Sequence, residues 1–151
     1  MKPPARILLA DDDEDFVLVA VRALRRSGLR AEVAVARDGA DALRQLGLTD
    51  DPDGGAPPPG LAVILLDLNM PVLGGYEVLR RVRAATRTRR IPVVVVSTSD
   101  RPSDVRRSYE LGANSFVVKR YGANGPGRFL ADAARYWVEL NQPPPATVER
   151  E

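Results

Sequence analysis

In this 151-residue chain the side chains best placed to do chemistry sit at the ends of apolar runs. Cysteine and histidine are both absent, which removes thiolate nucleophiles, zinc–thiolate sites, and the commonest metal ligand and general base. Carboxylates, hydroxyls and a lysine remain. Asp67 ends the run Leu61 to Leu66, and Asp11-Asp12 end Ile7 to Ala10, followed by Asp13, Glu14 and Asp15. Ser97-Thr98 end Val93 to Val96, and Lys119 ends Phe116 to Val118. One or two acids after a strand are explained as caps of the next helix, but five in a row are not. Carboxylates held a few ångströms apart raise one another's pKa and call for a cation. An all-oxygen site with room for water suits Mg²⁺. With that charge and the Lys119 ammonium beside it, Asp67 becomes able to carry a phosphoryl group as an aspartyl phosphate.

The elements that must position these groups follow from hydrophobic pattern. Leu61 to Leu66 is apolar without alternation, as in a strand buried on both faces of a parallel sheet, and Met70-Pro71 and Gly74-Gly75 turn it into the next helix. Ile7 to Ala10 is a short strand. Phe16, Ala20 and Ala23 with Val17, Val21 and Leu24 recur at helical spacing up to Gly28. Ala31 to Ala36 reads as a strand, and Asp38 to Leu46 as a short helix capped by Asp38. Thr49 to Gly60, rich in proline, glycine and aspartate, reads as a mobile surface loop. Tyr76, Val78, Leu79 and Val82 lie on a helix that begins near Gly75. The strand Val93 to Val96 precedes a helix with Pro102 in its first turn and its end at Leu111-Gly112. Phe116 to Val118 is a fifth strand, and Phe129, Leu130, Ala133, Ala134, Trp137 and Val138 form a last amphipathic helix. Five strand–helix alternations predict an α/β fold of the flavodoxin-like, doubly wound (βα)5 type, with a five-stranded parallel sheet in the order 2-1-3-4-5. In that order the first and third strands are neighbours at the switch point, so Asp11, Asp12 and Asp67 meet there, flanked by Ser97 and Lys119.

Composition agrees with one domain. A 44% hydrophobic and 28% charged balance is that of a globular chain, with no run long enough to span a bilayer and no signal-peptide core. The reading is a cytoplasmic protein without a membrane partner, folded over residues 1–141 with a disordered tail at 142–151. The net charge is only +2, and the arginines at 80, 81, 83, 87, 89 and 90 lack the interleaved aromatics that stack bases, so nucleic acid is set aside.

Together these residues resemble the response-regulator receiver domains of two-component signalling. The likeness rests on Asp11-Asp12, on Asp67 within Leu65-Leu66-Asp67-Leu68-Asn69-Met70-Pro71, on Ser97-Thr98, and on Val117-Val118-Lys119. It covers roughly Arg6 to Leu140. The resemblance implies that Asp67 accepts a phosphoryl group from a sensor histidine kinase. It implies direct Mg²⁺ ligation by Asp12 and Asp67 with help from the Asn69 carbonyl, and a role for Asp11 through coordinated water. Ser97, with Thr98 beside it, and Lys119 would hold the phosphoryl oxygens, and Phe116 would be the switch aromatic. Asp13 adds a third acid, which leaves open which two of the three face the metal. Arg120 follows Lys119 where the family usually has proline, and Gly74 stands where it often has aspartate.

More narrowly, the stretch Asn69 to Leu79, the segment Ser97-Thr98-Ser99-Asp100 and the pair Tyr136-Trp137 look like the small stand-alone regulators associated with bacterial phytochromes. That implies a bacteriophytochrome kinase as donor. It also implies a homodimer through the fourth helix, fifth strand and fifth helix, and a downstream protein target; an exposed Tyr136-Trp137 patch would suit that interface, while Trp137 reads equally well as core. Asn141 to Glu151 is too short to fold, so the expected output is protein binding, or onward transfer as a phosphorelay intermediate, and not catalysis on an external substrate. A haloacid-type phosphatase, also Mg²⁺-dependent, is the rival from another class. It wants a second aspartate two residues after the nucleophile, where this chain has Asn69. A flavin module would place its phosphate loop after the first strand, where Asp11 to Asp15 would repel it.

Overall fold

The computed structural model describes residues 3–50, 56–120 and 127–145. Its five strands are β1 (Ala5–Ala10), β2 (Ala31–Ala36), β3 (Leu61–Leu66), β4 (Val93–Ser97) and β5 (Ser115–Val118). All pair in parallel in the order β2-β1-β3-β4-β5, as the alternating pattern requires. Apart from Arg6 near the start of β1 and Ser97 at the end of β4, the three central strands are apolar, because helices cover both faces. Ile7, Leu9, Val63, Leu65, Val94 and Val96 point into one core layer. Leu8, Ala10, Ile64, Leu66, Val93 and Val95 point into the other. The edge strands β2 and β5 are only partly buried.

Five helices follow the strands: α1 (Glu14–Arg26), α2 (Gly39–Gln45), α3 (Gly75–Ala84), α4 (Pro102–Glu110) and α5 (Arg128–Arg135). Asp38 caps α2 by accepting the Asp41 N–H at 2.7 Å, and Pro102 opens α4, both as expected. Gly28 follows α1 at φ +83°, a conformation that favours glycine. Among the described residues no helix is long and apolar enough to cross a membrane.

One element differs from the sequence reading. The last helix does not run as regular α-helix to Val138: it passes at Tyr136–Leu140 into a wider π turn, closed by Asn141 N–H donating to the Tyr136 carbonyl at 2.7 Å. The wider turn shifts the helical phase. Trp137 and Val138 reach the core formed by α1 and α5, while Tyr136 is exposed and meets the Trp137 ring edge-on at 4.8 Å. Of the two readings of Trp137, surface patch or core, the structure favours the core, with the tryptophan half-buried and only the tyrosine exposed. The loop expected at Thr49 to Gly60 and the tail at 142–151 lie partly outside the described residues. No peptide bond among the described residues is cis, so Lys119-Arg120 is trans.

Candidate functional site

Register brings the carboxylates together. Ala10 pairs with Leu66, so β1 and β3 end level and the next residue on each is an aspartate. Asp67 N–H donates to the Ala10 carbonyl at 2.9 Å, and Asp11 N–H to the Ala36 carbonyl at 3.0 Å, which carries the sheet one residue further at the switch point. Gly75 lets the following loop fold back: a Cβ there would stand 2.2 Å from the Asp67 carbonyl oxygen. Asp11, Asp12 and Asp67 each offer an oxygen within 4.8 Å of the others. Asp11 and Asp67 are buried, whereas Asp12 faces solvent.

Asp13 does not join them. Its carboxylate accepts the Phe16 N–H at 3.1 Å as the cap of α1, and its own N–H donates to Asp11 Oδ1 at 3.0 Å. The three aspartates that open the acidic run thus divide into two at the site and one at a helix terminus, with Glu14 and Asp15 in the first turn of α1, a division that a string of identical residues cannot reveal.

Lys119 supplies the counter-charge. Its Nζ lies 2.9 Å from Asp11 Oδ2 and 3.9 Å from Asp67 Oδ1, with the side chain almost fully buried. Its backbone N–H donates to the Ser97 carbonyl at 2.7 Å, which anchors the end of β5 to β4. One ammonium cannot neutralise three carboxylates. Burial above all, and then the charge of Asp11, pushes the Asp67 carboxyl up from 3.8 to about 7, against the pull of Lys119 and the Asn69 N–H. Burial likewise raises Asp11, against Lys119 and the Asp13 N–H. A site of buried, under-compensated carboxylate oxygens fits a hard divalent cation.

The remaining residues of the sequence reading are placed as follows. Ser97 is fully buried at the end of β4, and its Oγ accepts the Ser99 N–H at 3.1 Å, so its own hydroxyl proton is free to donate. Thr98 is exposed, as is Asn69, whose N–H bonds the Asp67 carboxylate. Phe116 pairs with Val95 in the sheet and packs half-buried on the core layer that includes Val78, Leu79 and Val82 of α3.

Two features were not read from the sequence. Lys119 Nζ stands over the Phe16 ring, 4.1 Å from its centroid. Asp104, in the first turn of α4, accepts hydrogen bonds from Tyr76 Oη and Ser99 Oγ, both at 2.6 Å, which ties α3 to the loop after β4. Residues 28 positions apart carry no local signal of such contact.

Comparison with known proteins agrees with this geometry. The model of the response regulator receiver domain matches residues 7–125. A probable methanogenesis regulatory protein, FilR2 of Methanothrix harundinacea, is 35% identical over 93% of this chain and 88% of its own length. Response regulator Rcp1 of Synechocystis is 34% identical over 91% of each chain. The structure of the Mn²⁺-bound form of Rcp1 superposes with a TM-score of 0.81, at 31% identity, covering 94% of this chain and all of that one. The phosphorylated cyanobacterial phytochrome response regulator RcpA gives 0.80 at 29% identity, covering 94% and 99%. With its sheet order, its strand-end carboxylates and its matched length in agreement, this chain belongs to the response regulator receiver-domain family.

Proposed function

We propose that Asp67 accepts a phosphoryl group from a sensor histidine kinase, and that the phosphorylated chain signals by binding another protein. The single observation that carries this reading is the cluster of Asp11, Asp12 and Asp67 oxygens within 4.8 Å of one another, with the Lys119 ammonium 2.9 Å from Asp11. Asp11, Asp12 and Asp67, with the Asn69 carbonyl, would hold Mg²⁺. The ion supplies positive charge against which a phosphoryl group can be brought to a carboxylate.

The chain's own residues do the rest. An ionised Asp67 oxygen attacks phosphorus, the P–N bond of the phosphohistidine donor breaks, and the imidazole leaves with the electron pair and takes up a proton. Asp67 attacks only when ionised, so its raised pKa puts uptake under the control of whatever cation offsets Asp11. Lys119 follows the new charge from Asp11 towards the phosphoryl oxygens. Ser97 donates its free hydroxyl proton to one of them without losing the bond from Ser99 N–H. That movement, with Phe116 turning inward, would select the signalling state. Similarity to RcpA, a phytochrome response regulator, and to RtBRR, a bacteriophytochrome response regulator 44% identical to this chain, supports a bacteriophytochrome as the kinase. A homodimer through α4, β5 and α5, with Tyr136 exposed beside it, belongs to the same proposal.

Incubation with acetyl phosphate and Mg²⁺ should add one phosphoryl mass, lost in Asp67→Asn. Uptake that persists in the variant would refute the assignment. Light scattering with and without beryllofluoride tests the dimer, and a monomer in both conditions would reject it.

A further inference from the structure

Besides the carboxylate cluster, Lys119 meets an aromatic face. A closed ring of contacts runs through the first turn of α1. Asp11 Oδ2 meets Lys119 Nζ at 2.9 Å, and Asp11 Oδ1 accepts the Asp13 N–H at 3.0 Å. Asp13 Oδ1 accepts the Phe16 N–H at 3.1 Å, and the Phe16 ring returns to Lys119 Nζ at 4.1 Å. Phe16 is itself buried and backed by Phe129, whose ring centroid lies 6.4 Å away. The negative face of an aromatic ring attracts an ammonium, and the attraction grows when both are desolvated, as here.

From this ring of contacts we infer that Phe16 is a positioning residue for Lys119. The inference rests on the reading of Asp67 as phosphoryl acceptor. A ring face differs from a carboxylate in what it asks of the cation: it attracts without requiring any one N–H to point at it. Lys119 can therefore pivot from Asp11 towards charge arriving on Asp67 and keep its contact with the ring. A third carboxylate in that place would hold the ammonium back, and an aliphatic side chain would leave it desolvated on that flank. Asp13 serves the same end, because one residue orients Asp11 through its backbone N–H and fixes Phe16 through its capping carboxylate.

The test replaces Phe16 in the full chain with mono-, di- and trifluorophenylalanine, which weaken the ring's negative face with little change of shape, and with leucine. Phosphoryl incorporation from acetyl phosphate with Mg²⁺ is then timed: the P–O bond to acetate breaks as the P–O bond to Asp67 forms. The rate should fall stepwise with fluorination, by roughly 5- to 30-fold across the series, the factor that corresponds to a desolvated cation–π contact. Phe16→Leu should lie at the bottom and Phe16→Trp should retain the rate. A flat series, or rates that follow only the melting temperature, would overturn the inference and leave Phe16 as packing. In parallel, the Lys119 ε-methylene protons of the wild type should show an upfield ring-current shift that vanishes in Phe16→Leu. Should the wild type take up no phosphoryl group, the acceptor reading fails by itself, and the ring-current shift alone decides whether Phe16 holds Lys119.

Discussion

Replacing Asp67 by asparagine should make the metal-free protein more stable, and increasingly so as pH rises. Folding moves the Asp67 carboxyl from 3.8 to about 7, chiefly by burial and then by the charge of Asp11. A raised acid pKa means that the folded state keeps a proton that the unfolded state has released. Between about pH 4 and 7 the unfolded chain binds fewer protons, so stability falls as pH rises across that window and levels off above it. Each pK step corresponds to about 1.4 kcal/mol, so the burden is roughly 4 kcal/mol at pH 8 and is already present in part at pH 5. Asparagine has nearly the shape of the protonated acid and no charge to lose, and Lys119 keeps its contact with Asp11 at 2.9 Å. The advantage of Asp67→Asn should therefore grow by roughly 3 kcal/mol between pH 5 and pH 8. For a chain of this size that is about 6–12 °C in melting temperature. Thermal scans of both proteins in chelator at the two pH values read it directly. Adding Mg²⁺ at pH 8 should raise the wild type and leave the variant where it was. Parallel pH profiles for the two proteins would refute the claim that the site stores uncompensated charge.

Other perturbations test how the site is built. Val72 is fully exposed at φ +66°, a region that a β-branched side chain rarely enters. Val72→Asn should gain about 1 kcal/mol in urea denaturation, because it relieves strain and loses no packing. Gly75→Ala should cost about 1–3 kcal/mol and abolish phosphoryl uptake, since its Cβ would meet the Asp67 carbonyl at 2.2 Å and Leu68 Cα at 2.8 Å, both backbone. Arg83 donates to the carbonyls of Gly112, Arg89 and Ile91 and to Asn114 Oδ1, which staples α3 to the segments that lead into β4 and β5. Arg83→Ala should lose roughly 2–4 kcal/mol by the same assay. Burial and the bond to Asp104 push Tyr76 up to about 12, so one of the four tyrosines should ionise late in an absorbance titration, and Tyr76→Phe should remove that late step.

Asp67 was legible because it combines two local facts, an apolar run that only two-sided burial can accommodate and a carboxylate at its end. Asp11, Ser97 and Lys119 were found in the same way, since a parallel sheet turns strand ends into one edge. The division of labour between Asp12 and Asp13 was not legible. Both follow β1, and only the start of α1 decides that one caps a helix while the other faces the cluster. Phe16 read as core by its helical spacing, and it is core. That its outer face carries the Lys119 ammonium depends on how far β5 runs beside β4, a matter of register between strands about 20 residues apart.

The π turn at Tyr136–Leu140 and the Tyr76–Asp104–Ser99 contact belong to the same class. Hydrophobic period and strand-end chemistry act over a few neighbouring residues, so the order of residues alone determined the sheet, its helices and the edge on which the acids stand. Distances between side chains from different elements arise only once those elements pack. Tertiary structure therefore decided which acids share the site, what holds the lysine, and how strongly burial raises Asp67.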